Sequence, residues 1–175
     1  GGMANNILNY MGNPIGKSIR ENNCEKTIDD IFKTAKIHTC SIIYPEDVIV
    51  GKNMEDKGQT KELNKVLNDD LILDIGPKTI SKIKDIIEIS ETVLWNGPAG
   101  YFENPNFANG SYEIAKKIVT KNKNNLIYSI AGGGDTIAVL NQIGASKNFN
   151  FISTAGGAFL EFLEGKELPG IKALN

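Results

Sequence analysis

In the first half of the chain, apolar residues occur either at helical spacing or in short uninterrupted runs. Spacings of three and four residues predict amphipathic helices, which span Ala4–Met11, Thr27–Ile37 and Lys78–Ile89. Short apolar runs bounded by turn residues predict buried strands, which are Ser41–Tyr44, Asp47–Val50 and Leu71–Ile75. The polar segment Lys52–Asp70, which separates the last two runs, predicts surface loops.

The second half of the chain repeats one pattern three times: a strand, a glycine-rich turn and a helix. The predicted strands are Thr92–Trp95, Leu126–Ile130 and Phe151–Ser153. The helices are expected from about Phe107 to Thr120, up to Gly144, and through Phe159 to Leu163. Alternating strands and helices predict an α/β fold, a Rossmann-like three-layer parallel sheet with helices on both faces. Ligands of such sheets bind at the edge where the strands end, so all three turns are expected there.

The turn Ala131–Thr136 carries the most specific chemistry, because it places three glycines and an aspartate between a strand and a helix. The glycines permit a sharp turn, which leaves unpaired N–H groups at a helix start, where anions bind. Asp135 adds a carboxylate that suits Mg²⁺ bridged to a phosphate. The same residues are also compatible with a tight connection that binds nothing.

Two further turns are candidates for ligand binding. Asn96–Gly100 follows a strand directly, and Glu103 beyond it places a carboxylate where ribose hydroxyls could be bound; a rigid Gly-Pro turn is the alternative. In the turn Ser153–Ala158, a hydroxyl is expected to cap the next helix, while the glycines allow an anion or another chain segment to approach.

Composition excludes several classes of function. A net charge of −2 gives no basis for binding nucleic acid or an anionic membrane, and no apolar run is long enough to span a bilayer. Cys24 and Cys40 have neither metal-ligand nor redox spacing, so reduced thiols and a cytoplasmic location are expected. His38, the single histidine, is expected to be solvated near a helix end. Gly12–Ser18 resembles a P-loop, but it is one residue short and follows a helix.

A series of stretches follows in order along the whole chain: Gly1–Ala4, Leu73–Thr79, Leu94–Pro98, Tyr101–Glu103, Phe107–Gly110, Gly132–Thr136, Ile152–Thr154 and Phe162–Gly170. Together these stretches resemble the phosphoglycerate kinase family. The resemblance corresponds to most of the family's C-terminal domain, which binds MgADP or MgATP. Gly1–Ala4 reads as the inside of a strand-to-helix turn, so we expect a fold truncated at its N-terminal end.

The resemblance implies a role for each matching residue. Gly133 and Gly134 would offer amides to the transferring phosphoryl group, while Asp135 would hold Mg²⁺. The other nucleotide-binding residues it implies are Thr136 at the phosphates, Glu103 at the ribose, Asn96 and Pro98 along the groove, and Gly1, Gly2 and Gly76 beside the adenine. Ala155 departs from the glycine usual in the family, and its methyl would crowd a turn that needs a positive φ.

The resemblance also implies partners. Residues 1–164 would form most of the nucleotide domain, and residues 165–175 would pack on an N-terminal domain that binds 3-phosphoglycerate and lies outside this chain. The full enzyme would be a monomer that transfers phosphate between 1,3-bisphosphoglycerate and MgADP, and this chain alone would be inactive. Two alternatives stay open: a non-catalytic nucleotide-binding or interaction module, and a piece that pairs with a separately made N-terminal half.

Overall fold

The computed structural model describes residues 1–174, which group into two compact units. The first unit comprises Gly1–Ile83 and Ala99–Ser111, and the second comprises Lys84–Pro98 and residues 112–174. No helix in this part of the chain is both long and apolar enough to cross a membrane.

The first unit is built on a three-stranded antiparallel sheet with the order β2-β1-β3. Its helices and strands are α1 Gly2–Tyr10, α2 Glu25–Ile37, β1 Asp47–Gly51, β2 Gln59–Glu62 and β3 Leu71–Ile75, and α3 Pro77–Ile89 begins in this unit. The short link 52–58 fixes the antiparallel pairing of β1 and β2, since a parallel return needs a crossover of about a dozen residues. The helices lie within two residues of their predicted starts.

Two predictions for this unit are wrong. Ser41–Tyr44 forms no strand, although its residues are apolar. Lys52–Asp70 is not only loop, because it contains β2 and a 3₁₀ turn at Leu63–Lys65. β2 escaped detection because its residues, Gln-Thr-Lys-Glu, are polar and mostly exposed, as suits an edge strand.

Packing in the first unit is centred on β1. Val48, Val50 and Val66 form a buried cluster, against which Leu63 and Ile72 pack. Leu8 of α1 and Phe107 are also fully buried. The alternation of inward and outward residues along a strand therefore supplies the sheet's contribution to the core.

The second unit contains the predicted parallel sheet flanked by helices, which confirms the α/β fold class, although the sheet has only three strands. The order of its strands is β4-β5-β6. Its elements are β4 Thr92–Asn96, α4 Asn109–Lys123, which begins in the first unit, β5 Tyr128–Gly132, α5 Gly134–Gln142, β6 Phe151–Ser153, α6 Gly157–Leu163 and α7 Pro169–Lys172. The expected packing of residues 165–175 on another domain stays a prediction, and Asn175 lies outside the described residues.

β5 begins two residues later than predicted, at Tyr128. The chain first closes the end of α4, where the amide of Leu126 donates to the carbonyl of Lys121 at 3.1 Å and Asn125 takes a positive φ of 54°. The parallel register with β4 then starts at Thr92 opposite Tyr128. The consequence is that Gly132 belongs to the strand and the turn consists of Gly133 alone.

The two faces of the parallel sheet differ in their exposure to solvent. Trp95 and Ala131 are buried on one face, where the ring of Trp95 lies 6.4 Å from that of Phe149. The other face presents Leu94, Tyr128 and Phe151, which are 41%, 51% and 51% exposed. Three apolar side chains on this face are therefore partly open to water.

Candidate functional site

The turn between β5 and α5 leaves the start of a helix uncapped. Gly133 precedes α5 with φ 88° and ψ 140°, and no side chain caps the helix. Among residues 1–174, no hydrogen bond uses the amides of Gly134, Asp135 or Thr136. These amides lie at the positive end of the helix dipole, so they form a ready site for an anion.

The three consecutive glycines from the end of β5 to the start of α5 differ in what surrounds them. A Cβ on Gly132 would lie 2.7 Å from Cδ1 of Phe159, and one on Gly133 would lie 2.9 Å from Oδ1 of Asn96 at a φ that only glycine adopts readily. A Cβ on Gly134 would meet nothing within 4 Å. Packing and backbone geometry thus explain the first two glycines, whereas the space beside Gly134 is open to a ligand.

Thr136 ties the turn to the loop after β4. Its fully buried hydroxyl accepts a hydrogen bond from the amide of Gly97 at 2.6 Å. Asn96 lies opposite Gly132 in the parallel register. The structure therefore brings the end of β4 and the glycine turn together within the second unit, and Pro98 follows, half-buried, at the end of that segment.

The carboxylate of Asp135 is exposed next to the uncapped start of α5. No ion pair or hydrogen bond within residues 1–174 involves this carboxylate. Groups of three or more metal-ligating side chains are absent from the described residues. One free carboxylate beside an uncapped helix start is compatible with Mg²⁺, which takes one or two carboxylates and completes its shell with phosphate oxygens and water.

The turn before α6 differs from the prediction. The helix begins at Gly157 after Gly156, and neither Ser153 nor Thr154 caps it. The hydroxyl of Ser153 instead accepts from the amide of Ala155 at 3.3 Å. The positive φ of 54° falls on Gly156 and not on Ala155, so the methyl of Ala155 causes no backbone strain.

In the first unit, a buried aspartate explains Gly76. Asp47 accepts hydrogen bonds from the amides of Lys78 and Thr79 at 3.0 and 2.9 Å, and thus caps α3 from β1. A Cβ on Gly76 would lie 2.3 Å from Cγ of Asp47. The cap therefore gives Gly76 a structural role in addition to the place beside the adenine that the sequence suggested.

A second buried aspartate, Asp74, caps α4. Its carboxylate accepts from the amides of Ile75 and Gly110, both at 2.8 Å, and is 2% exposed. Burial raises the pKa of Asp74 to about 6, although both hydrogen bonds act in the opposite direction. Sequence reasoning missed Asp47 and Asp74; an aspartate inside the apolar run Leu71–Ile75 was the available signal for the latter.

The first unit also contains the other residues that the sequence analysis discussed as possible site residues. Glu103 is exposed in the loop before α4. Gly1 and Gly2 open α1, where an added Cβ would meet nothing within 4 Å, and the nitrogen of Gly1 donates to the carbonyl of Ala99 at 3.3 Å. His38 is exposed at the end of α2, as expected.

The P-loop-like segment has a structural explanation. No helix begins at its lysine, so the segment lacks the helix start that a P-loop uses to bind phosphate. Instead, a Cβ on Gly16 would lie 2.2 Å from the carbonyl oxygen of Asp70, and the amide of Lys17 donates to that carbonyl at 2.7 Å.

Comparison with known proteins decides the family. The model of the phosphoglycerate kinase family matches residues 1–166, almost the whole chain. The chain belongs to the phosphoglycerate kinase family. Among curated relatives, the phosphoglycerate kinase of Zymomonas mobilis is 44% identical over 177 aligned residues, which cover 100% of this chain and 45% of that protein.

Solved structures of phosphoglycerate kinases agree with the fold. The enzyme from Coxiella burnetii is 39% identical with a TM-score of 0.91, over 100% of this chain and 45% of its own. The enzyme from Pyrococcus horikoshii OT3 is 30% identical with a TM-score of 0.69, over 98% of this chain and 42% of its own. The chain thus spans a little under half the length of the phosphoglycerate kinases it matches.

Proposed function

We propose that this chain supplies the nucleotide-binding part of a phosphoglycerate kinase, which transfers a phosphoryl group between 1,3-bisphosphoglycerate and MgADP in the cytoplasm. The observation that carries the proposal is the start of α5. There, three amides without partners, an open space beside Gly134 and the free carboxylate of Asp135 occur together. Membership of the kinase family supports the same conclusion.

The start of α5 would bind the phosphates. The amides of Gly133 and Gly134 would donate to the transferring phosphoryl group, and those of Asp135 and Thr136 to the neighbouring oxygens. Mg²⁺, held through Asp135, would neutralise charge on the phosphates. The bond from Gly97 to the hydroxyl of Thr136 fixes the first turn of α5, so these donors need little rearrangement.

Other residues of the chain would bind the nucleoside. Glu103 would accept hydrogen bonds from the ribose hydroxyls, and Asn96 and Pro98 would line the groove. Gly1, Gly2 and Gly76 would lie along the adenine, where small residues permit close approach; the open space at Gly1 and Gly2 is compatible with that role.

Phosphoryl transfer needs little covalent help from a protein. It needs the attacking and leaving oxygens held in line, and donors for the charge on the equatorial oxygens. The amides at the start of α5 meet the second need. The first needs a residue set that delivers the acyl phosphate, which we assign to a substrate domain outside this chain, since the relatives are more than twice as long. We therefore expect no turnover by this chain alone.

An amide NMR titration of the chain tests the proposal. We expect millimolar MgADP to shift the amide resonances of Gly133–Thr136, and we expect Asp135→Asn to remove the difference between MgADP and ADP without metal. Shifts confined to other residues would refute the proposed site.

A coupled assay on the same sample separates the alternatives. ATP formation from 1,3-bisphosphoglycerate by the chain alone would show that no other domain is needed. Binding without turnover, unchanged when a separately produced substrate domain is added, would favour the non-catalytic module. Turnover restored by that domain would support the kinase.

A further inference from the structure

The carboxylate of Asp74 is buried without a cationic side chain to neutralise it. No salt bridge within residues 1–174 includes Asp74, and the two hydrogen bonds it accepts come from the backbone amides of Ile75 and Gly110. An ionised carboxylate in such a place is costly to the fold. The contribution of Asp74 therefore lies in the residues that its carboxylate contacts.

Asp74 lies against both ends of one loop, residues Gly100–Gly110, which we call the Glu103 loop, and binds the amide of Gly110. A Cβ on Gly100 would lie 2.4 Å from Oδ1 of Asp74, and a Cβ on Gly110 would lie 2.3 Å from the same atom. Only glycine permits so close an approach. Beside this contact, the amide of Tyr101 donates to the carbonyl of Leu73 at 2.7 Å.

The interior of the Glu103 loop is fixed as well. Phe102 and Phe107 are buried, and the side-chain amide of Asn104 donates to the carbonyl of Met54 at 2.7 Å. Between these anchored residues, Glu103 alone presents an exposed carboxylate. The loop is thus a rigid support whose outward acidic group is Glu103.

We propose that Asp74 is a positioning residue for nucleoside binding: by binding the amide of Gly110 and packing closely against Gly100, it holds Glu103 where its carboxylate meets the ribose hydroxyls. This inference rests on the proposed nucleotide-binding function, and it concerns a residue that does not itself touch the ligand. The carboxylate is required because two oxygens accept from two amides. Asparagine has one oxygen, and its NH₂ group would face an N–H donor.

The test compares ADP with 2′,3′-dideoxy-ADP, both with Mg²⁺, by NMR titration of the whole chain. The variants are Asp74→Asn, Glu103→Gln and the double variant, with Asp70→Asn as the matched control. Asp70 is also a buried aspartate of the first unit, but it pairs with Lys52 and Lys61, and no side-chain hydrogen bond within residues 1–174 joins it to the Glu103 loop.

We expect the unaltered chain to prefer ADP by about tenfold, the equivalent of one charge-assisted hydrogen bond. Glu103→Gln and Asp74→Asn should each abolish that preference, and the double variant should lose nothing further, because both act through one contact. Asp70→Asn should keep it. If Asp74→Asn keeps the preference, or weakens both nucleotides equally, Asp74 does not position Glu103.

A measurement without nucleotide separates this inference from the proposed function. Asp74→Asn should speed hydrogen exchange at the amides of Gly110 and Tyr101 by tenfold or more, while the amides of β5 stay protected. Unchanged exchange there would overturn the positioning role. If the unaltered chain shows no preference for ADP, or Glu103→Gln leaves it intact, the assignment of Glu103 fails, and exchange alone then decides whether Asp74 holds the loop.

Discussion

Adjacent glycines at the start of α5 allow folding and binding to be tested separately. Gly133→Ala places a Cβ at φ 88° and ψ 140°, a conformation nearly confined to glycine, and 2.9 Å from Oδ1 of Asn96. Such strain costs about 2 kcal/mol, or roughly 4–8 °C in the melting temperature of a chain of this size. Gly134→Ala adds a methyl that meets nothing within 4 Å, at a helical position.

The second substitution should therefore leave the fold intact or stabilise it by up to about 1 kcal/mol, since alanine favours a helix over glycine. Its methyl would occupy the space that we assign to a phosphate. Loss of one hydrogen bond to that charged group costs about 1.5–3 kcal/mol of binding free energy, which raises the dissociation constant for MgADP roughly 10- to 100-fold.

The assay is thermal unfolding followed by circular dichroism, together with an NMR titration of MgADP, on both variants and the unaltered chain. Gly133→Ala should melt earlier, whereas Gly134→Ala should melt no earlier but bind more weakly. If Gly134→Ala binds MgADP as well as the unaltered chain, the amides at the start of α5 do not bind the phosphates.

Two further predictions concern stability. Because burial raises the pKa of Asp74 to about 6 from 3.8, although hydrogen bonds from the amides of Gly110 and Ile75 oppose the shift, the folded state binds that proton more tightly than the unfolded state does. The unfolding free energy, measured in urea, should therefore fall by about 2 kcal/mol relative to Asp74→Asn between pH 4 and pH 6; a constant difference would contradict the raised pKa. Lys61→Met, which removes a partner from buried Asp70, should cost about 2 kcal/mol, whereas Lys78→Met, in an exposed pair, should cost under about 1 kcal/mol. Equal losses would contradict the role of burial.

The parallel half of the fold was predictable because its pattern is local. Each strand of β4, β5 and β6 is a short apolar run followed by a glycine-rich turn, so the element order follows from the sequence alone. Ser41–Tyr44 shows the limit of this reasoning. An apolar run becomes a strand only when another strand offers it hydrogen bonds, and partners are not visible in a local pattern.

The glycine turn was likewise predictable, but its supports were not. The run of three glycines before Asp135 indicates an anion site without knowledge of the rest of the chain. The caps that Asp47 and Asp74 provide join residues 31 to 36 positions apart, at Lys78 and Gly110. Such contacts depend on which elements meet in space, so the sequence could mark these aspartates only as unusual within apolar segments.

The partly exposed apolar side chains on one face of the parallel sheet have a practical consequence for work with this chain in vitro. Leu94, Tyr128 and Phe151 form an exposed apolar patch. We expect this patch to bind surfactants and hydrophobic dyes and to adsorb to glass or plastic surfaces. Concentrated solutions of the chain should therefore aggregate at lower protein concentrations than the net charge of −2 alone would suggest, which light scattering would detect. The substitution Leu94→Lys would place a charged group among these apolar side chains and should improve the solubility of the chain.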